Sequence, residues 1–258
     1  MDKKGSSAKL QWGSWQIGGP RHYYRETLVM KMIKSVLPAG KILDVGCGTG
    51  SLMLQLSLSG YTVSGTDLSE ECIRQTKDRM KTLAPGVKPV IKRCNAEAID
   101  FPDGHFDGLI AAEILEHVDD DRKAVKEFHR LLKPGGLCLI TVPANQKLWD
   151  ISDEMAGHKR RYSRDDLMRL FNEQSFSIEK VVFLGFPIMR LYNRVVFLKW
   201  ARQVEKKNSG KISSDDAVTK IGLNRWTTLI LGNLFRFDNL FSSLPWGLGI
   251  LLIARKNE

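Results

Sequence analysis

A chain of 258 residues has room for one large domain with an elaboration. With 43% hydrophobic and 26% charged residues it has an ordinary globular composition, which excludes a low-hydropathy disordered polymer. The net charge of +10 favours anionic partners such as phosphate groups, nucleic acid or an anionic membrane surface, and does not choose among them.

Met1-Asp2-Lys3-Lys4 leads into small and polar residues instead of an apolar stretch, so no secretory signal is expected. Residues 1–40 read as an N-terminal helical lid, in which Trp12 and Trp15 either join the lid or pack. From residue 41 to 143, short apolar runs alternate with longer amphipathic ones. Strands are expected over 42–45, 61–66, 87–91, 106–112 and 137–142, and helices over 51–59, 69–83 and 119–132. This alternation implies βαβ units around a parallel sheet covered on both faces. Glu70 and Glu71 suit a helix N-terminus, and Ser163-Arg164-Asp165-Asp166 predicts a capped helix running to about residue 173. Lys133-Pro134-Gly135-Gly136 is expected to end one helix and turn the chain into the next strand.

A sixth strand is expected over 177–184 and a seventh over 248–254. The core is thus placed at 41–185 and its last strand at 247–258, with a helical insertion at 186–246 between them. That insertion holds a basic amphipathic helix candidate (187–204), a polar linker (205–220) and a second apolar region (226–244). Asn233, Arg236, Asp238 and Asn239 interrupt the last, and no run reaches the roughly 20 apolar residues of a membrane span. Two readings stand: a cap over the substrate pocket or dimer contact, and a peripheral contact with an anionic membrane. The widely spaced Cys47, Cys72, Cys94 and Cys138 read as reduced thiols of a cytoplasmic protein, with the inner membrane surface as the alternative location.

The most informative segment is Ile42-Leu43-Asp44-Val45-Gly46-Cys47-Gly48-Thr49-Gly50, a strand entering a glycine turn that opens a helix. Side-chain-free residues let the backbone approach a ligand. Asp67 follows about 20 residues later, where a carboxylate can accept from ribose hydroxyls. NAD enzymes share this layout. Here, however, the spacing is G-x-G-x-G, and Asp44 stands where it would repel a pyrophosphate and help hold a cationic amino-acid moiety.

These residues, with Gly65-Thr66-Asp67-Leu68-Ser69, Phe106-Asp107-Gly108, Glu116-His117-Val118 and Leu131-Leu132-Lys133-Pro134-Gly135-Gly136, resemble the class I S-adenosylmethionine (SAM)-dependent methyltransferases over about 41–143. The resemblance implies an α/β, Rossmann-like, seven-stranded and mostly parallel sheet with helices on both faces, the helical insertion preceding the last strand. It places Gly46, Cys47, Gly48 and Gly50 along the methionine and ribose of SAM, with Asp44 nearby and Asp67 and Leu68 at the ribose. Asn95, Ala96 and Glu97 lie where the family sets a residue beside adenine, and Ala112 and Glu113 face the methionine. Arg25, in His22-Tyr23-Tyr24-Arg25, is the candidate partner of the methionine carboxylate.

A hydroxyl acceptor needs a base, whereas a neutral amine needs only positioning. His117 and His158 are the candidate bases, with Tyr162 as a second proton relay. Arg160 and Arg161 are candidates to clamp an acceptor phosphate or carboxylate. The run Gly157-His158-Lys159-Arg160-Arg161-Tyr162 after Val142-Pro143-Ala144 resembles the type 11/12 bacterial methyltransferases. Glu113, Glu116 and His117, if helical, share one face, and similar segments occur with Mg²⁺ in the ubiquinone-biosynthesis O-methyltransferases. The alternative is a set of structural hydrogen bonds with no metal.

The expected acceptor is a hydroxyl of a small molecule, lipid or lipid-linked glycan. An N-methyltransferase and a non-catalytic SAM-binding protein are the competing readings. Nucleic acid is disfavoured by the lack of an N-P-P-[FY] run or an RNA-binding appendage. Oligomeric state is not legible.

Overall fold

The computed structural model describes residues 19–202 and 225–257. Its strands are β1 (Lys41–Val45), β2 (Thr62–Asp67), β3 (Val90–Arg93), β4 (Phe106–Ala112), β5 (Leu132–Pro143), β6 (Phe176–Leu184) and β7 (Gly249–Lys256). They form one sheet in the order β3-β2-β1-β4-β5-β7-β6. Neighbours from β3 to β5 are parallel, and β7 runs antiparallel between β5 and β6. This is the mostly parallel seven-stranded sheet that the sequence predicts.

Among the described residues the helices are α1 (Pro20–Val36), α2 (Ser51–Leu58), α3 (Glu70–Leu83), α4 (Asp121–Leu131), α5 (Ile151–Ala156), α6 (Arg164–Asn172), α7 (Ile188–Tyr192) and α8 (Arg225–Leu234). A sheet buried on both faces sends successive apolar side chains into two cores. Leu43, Leu109, Ile140 and Leu252 face α4 and α6, whose Phe128 and Phe171 are fully buried. Ile42, Ile110, Leu139 and Ile253 face α1, α2 and α3. The result is a three-layer sandwich whose strand C-termini share one edge.

The caps form as read. Ser69 Oγ accepts from Cys72 N at 3.2 Å and Ser163 Oγ from Asp166 N at 3.1 Å, which start α3 and α6. Three boundaries differ from expectation. Pairing of β3 begins at Val90, because Pro89 has no N–H to give and Val87 N bonds back to Ala84 O instead. Lys133 to Gly136 form no free turn: Leu132 already pairs with Phe106, and the segment bulges before Leu137 pairs with Gly108. The expected 187–204 helix is α7 followed by a wider turn at Asn193–Phe197 and helical residues to 202. That turn faces Asn193 inward, where its amide oxygen accepts from Arg21 Nη1 at 2.8 Å. Trp12, Trp15, the 205–220 linker and residues 203–204 of the expected helix lie outside the described residues. All four cysteines are free, as expected of reduced thiols.

Candidate active site

β1 enters the glycine turn with left-handed φ values of 69° at Gly46 and 53° at Gly48, a region costly for side chains other than glycine. A Cβ on Gly46 would stand 1.9 Å from Ile114 Cδ1, whereas one on Gly48 would meet nothing. The turn is therefore packed on one side and open on the other. Gly48 N donates to Asp67 Oδ2 at 2.9 Å, and Ser69 N donates to Asp67 Oδ1 at 2.8 Å. Asp67 thus stands fixed beside the turn at the end of β2. Leu68 next to it is 62% exposed, while Cys47 is buried and its thiol is pushed up by burial and by Asp44 and Asp67.

Asp44 is buried, and its Oδ2 has no hydrogen-bond partner. Burial, then Glu26 and Asp67, hold its carboxyl well above the usual range. Glu26, reaching over from α1, accepts from Ser51 Oγ and Gln55 Nε2, each at 2.8 Å, and from His22 Nε2 at 2.9 Å. Burial would raise it, but His22 and Ser51 bring it below its ordinary value. Asp44, Glu26 and Asp67 thus gather beside the turn, with His22 and the charges of Arg25 and Arg79 acting on Glu26. An orphaned buried carboxylate fits a cationic ligand and disfavours a pyrophosphate.

Beyond β3, Asn95 Oδ1 accepts from Glu97 N at 3.0 Å. Glu97 Oε1 accepts from Asp119 N at 3.0 Å and Asp120 N at 3.2 Å, so this side chain holds a loop. Ala96 between them is buried. At the end of β4, just past Ala112, Glu113 takes a left-handed φ of 61°. Its carboxylate accepts from Thr141 Oγ1 at 3.0 Å and pairs with Arg25 at 3.3 Å.

This kink corrects one expectation. Glu113, Glu116 and His117 do not share a helical face, because residues 113–118 turn sharply instead of coiling. Glu116 and His117 meet His158 instead, with one ligating atom from each within 4.8 Å of the others. The two imidazole rings stand edge to face at 4.8 Å. A hard cation such as Mg²⁺ prefers an all-oxygen octahedron, which two imidazoles and one carboxyl do not offer. The alternative Mg²⁺ set of Glu113, Glu116 and His117 is therefore not assembled.

His158 Nδ1 bonds Asp153 Oδ1 at 2.8 Å, leaving Nε2 directed to Glu116 at 3.9 Å. Asp153 is fully buried yet held well below its usual range, because the His158 and Arg161 hydrogen bonds outweigh burial. Glu116 is also fully buried, with neither carboxylate oxygen hydrogen-bonded, and burial followed by Glu113 pushes it up. Burial, then His158, depresses His117, so it is neutral at physiological pH.

The remaining sequence candidates are committed elsewhere. Arg161, only 6% exposed, places Nη2 at 2.6 Å and Nε at 2.8 Å from Asp153. Arg160 pairs with Asp121 at 3.0 Å and donates to the carbonyls of Val118 and Asp119. Tyr162 is buried with its hydroxyl shared between Leu115 O and Asp121 Oδ2, and burial raises it far above its ordinary value. An arginine clamp and a tyrosine relay open to an acceptor are thus replaced by internal posts that hold the β4 and β5 loops together. Asp153, Glu26 and Arg21 were not foreseen. Asp150 and Asp153 form a capping box on α5 whose spacing was legible, although nothing in it pointed to His158.

Residues 43–140 match a family profile described as Methyltransferase domain. Over 116 residues the chain is 36% identical to the ubiquinone biosynthesis O-methyltransferase of Pseudomonas aeruginosa strain LESB58, a match covering 44% of this chain and 49% of that one. Over residues 43–140 the chain thus matches a methyltransferase domain. The enzyme of the same description from Pseudomonas putida strain GB-1 is 34% identical over 119 residues, 45% of this chain and 50% of its own. The chain thus spans about half the length of the curated relatives it matches. The methyltransferase fold itself extends further. The [4+2]-cyclase SpnF superposes with a TM-score of 0.63 at 19% identity, over 90% of this chain and 80% of that one. Phosphoethanolamine N-methyltransferase 2 of Haemonchus contortus, solved with SAM, gives 0.60 at 17%, over 90% and 53%. The profile match ends within β5, so Asp153, His158 and the insertion lie outside the matched methyltransferase segment.

Proposed function

We propose that the protein binds SAM at the glycine turn and transfers a methyl group to a hydroxyl of a small-molecule, lipid or lipid-linked glycan acceptor. The observation that carries the reading is the Asp153–His158 pair on the same sheet edge as the negative pocket of Asp44 and Asp67. When bound, SAM supplies an electrophilic methyl on a cationic sulfur. Backbone groups of Gly46, Cys47, Gly48 and Gly50 line its amino-acid and ribose portions, and Asp67 accepts from the ribose hydroxyls. Leu68, Asn95 and Ala96 border the base. Arg25 and Glu113, already paired, offer opposite charges to an amino-acid zwitterion, while Asp44 and Glu26 favour positive charge beside Ala112.

On the acceptor side, Asp153 fixes the Nδ1 tautomer of His158 and leaves Nε2 to take the hydroxyl proton. Neutral His117 stands edge to face against His158 at 4.8 Å, and Glu116, its carboxyl pushed up by burial, faces Nε2 at 3.9 Å. The reading is cytoplasmic, with an embedded acceptor met at the inner membrane surface.

Calorimetric titration with S-adenosylhomocysteine, beside NADH, tests the cofactor. Micromolar-range binding that Asp67→Ala weakens on the order of 100-fold, with no heat from NADH, is expected. Silence with both nucleotides would sink the reading. Methyl-labelled SAM incubated with total lipid extract tests the chemistry. His158→Gln should lower incorporation by roughly 10²–10⁴-fold while keeping S-adenosylhomocysteine affinity. An unchanged rate would remove His158 from the mechanism.

A further inference from the structure

The insertion between β6 and β7 is fastened by its inward side. Phe235 is fully buried and meets Tyr24 edge to face at 6.2 Å, and Tyr24 Oη donates to Asn239 Oδ1 at 2.8 Å. Buried Asp238 accepts from Ile188 N and Met189 N at 2.8 and 2.9 Å, clasping α8 and the turn after it to the start of α7. Gly232 lies so close to Tyr23 that a Cβ would stand 2.3 Å from the ring. These contacts leave the opposite side of the same helical stretch facing outward.

That outward side is apolar too. Trp226, Ile230, Phe237 and Leu240 are 72%, 65%, 60% and 78% exposed, and their spacing (i, i+4, i+11, i+14) puts them on one helical face. On the neighbouring helical residues, Leu191, Val195 and Val196 are exposed as well. A helix apolar on both sides belongs in a core, and concentrated exposed apolar surface marks an interaction site.

Charge selects the occupant. Residues 186–202 contain Arg190, Arg194, Lys199 and Arg202 and neither Asp nor Glu. In 225–246 the single acid is Asp238, buried on backbone N–H groups, whereas Arg236 is exposed. The described part of the insertion therefore presents cations and apolar side chains to solvent and no carboxylate. Tryptophan and phenylalanine interleaved with arginine and lysine match the interface of an anionic bilayer, where rings sit at headgroup depth and cations meet phosphates.

The location suits that occupant. The insertion leaves β6 at Leu184, on the edge of the sheet that also carries Asp67 and Glu113. Arg21, one turn before Arg25 on α1, holds Asn193 and stacks its guanidinium 4.7 Å over Phe197. No helix of the described residues is long and apolar enough to cross a membrane, so contact would come from one side.

We propose that this face docks the protein on an anionic lipid bilayer. Trp226, Ile230, Phe237 and Leu240 enter the interface, and Arg194, Lys199, Arg202 and Arg236 meet lipid phosphates. The inference goes beyond the methyl-transfer reading and stands independently of it.

Flotation of the full chain with phosphatidylcholine vesicles, with and without phosphatidylglycerol, tests it. Binding confined largely to the anionic vesicles and weakened by salt is expected. Each surface cation contributes roughly fivefold, so Arg194→Gln with Lys199→Gln should lower partitioning about 25-fold. Phe237→Ser should lower it about tenfold. Both variants should keep the wild-type thermal midpoint and S-adenosylhomocysteine affinity, which separates lost docking from lost folding. Equal binding to neutral vesicles, or binding to neither, would overturn the proposal. So would light scattering that finds a dimer dissolved by Phe237→Ser, which would assign the face to a second copy. A wild-type protein that floats with anionic vesicles but ignores S-adenosylhomocysteine would defeat the methyl-transfer reading and leave this one standing.

Discussion

The two halves of the candidate site treat their buried aspartates, Asp44 and Asp153, in opposite ways. Beside the glycine turn, Asp44, Glu26 and Asp67 gather, His22 and the charges of Arg25 and Arg79 act on Glu26, and one buried Asp44 oxygen has no hydrogen-bond partner. Beside β4 and β5, Glu113, Glu116 and Asp153 gather with Arg25, Arg161, His117 and His158, so most of that charge is balanced internally. In the first pocket the cations act on Glu26 and Asp44 keeps an orphaned oxygen, which suits a site that receives a positively charged cofactor. In the second, His158 and Arg161 satisfy Asp153 without a ligand, as suits a group that must hold an imidazole in one tautomer before any acceptor arrives, while both oxygens of Glu116 stay without a hydrogen bond.

The contrast predicts that removing Asp153 harms the fold and that removing Asp44 relaxes it. The largest effect is expected from Asp153→Asn. Arg161 would lose its partner while buried, at a cost of about 3–5 kcal/mol in urea denaturation. Because the folded-state value of Asp153 is depressed, its contribution is present above the ordinary carboxylate range and is lost as pH falls through the folded value. The variant's acid limb should be shallower accordingly. A loss under about 1 kcal/mol would mean that the balance is only geometric.

Asp67→Ala comes next. Two hydrogen bonds to a charged acceptor, at about 1.5 kcal/mol each, predict on the order of 100-fold weaker S-adenosylhomocysteine binding by calorimetry. Asp44→Asn should act with a different sign on the unliganded protein. The raised Asp44 carboxyl favours folding while protonated, so its stabilisation is lost as pH rises from the ordinary range toward the folded value. The amide should be equally or more stable than wild type at neutral pH, by about 1 kcal/mol at most, yet should gain less thermal midpoint from SAM. A destabilised variant would show that Asp44 already has a cationic partner. The smallest change is expected at Glu116, also raised: Glu116→Gln should flatten the decline of thermal midpoint between acid and neutral pH and leave cofactor affinity alone.

The same contrast explains what the sequence could tell. Strand, glycine turn and Asp67 lie in one βαβ unit, so spacing alone placed them, and Ser69 and Ser163 capped where local chemistry said they would. Pro89, inside the apolar run around it, has no N–H for a ladder, and β3 starts after it at Val90. The second pocket joins loops that follow different strands. Its decisive contact, Asp153 to His158, depends on a left-handed Glu113 and a capping box whose role is set by tertiary packing. Residue types suggested proton chemistry there, but only the folded chain separates His158, which keeps a free nitrogen, from Arg160, Arg161 and Tyr162, which are tied to internal partners.

The antiparallel β7 also governs the order of assembly. Among the described strands β6 hydrogen-bonds to β7 alone, and β7 follows it only after the whole insertion has been synthesised. A nascent chain halted before Gly249 therefore carries two open edges, along β5 and β6, that nothing in the emerged sheet can close. Pairings between sequence-distant strands are slow to form, and open edges invite association with other chains. During synthesis the insertion thus delays the closing of the sheet, and the interval before β7 emerges is when this protein is most exposed to misassembly or most in need of a chaperone.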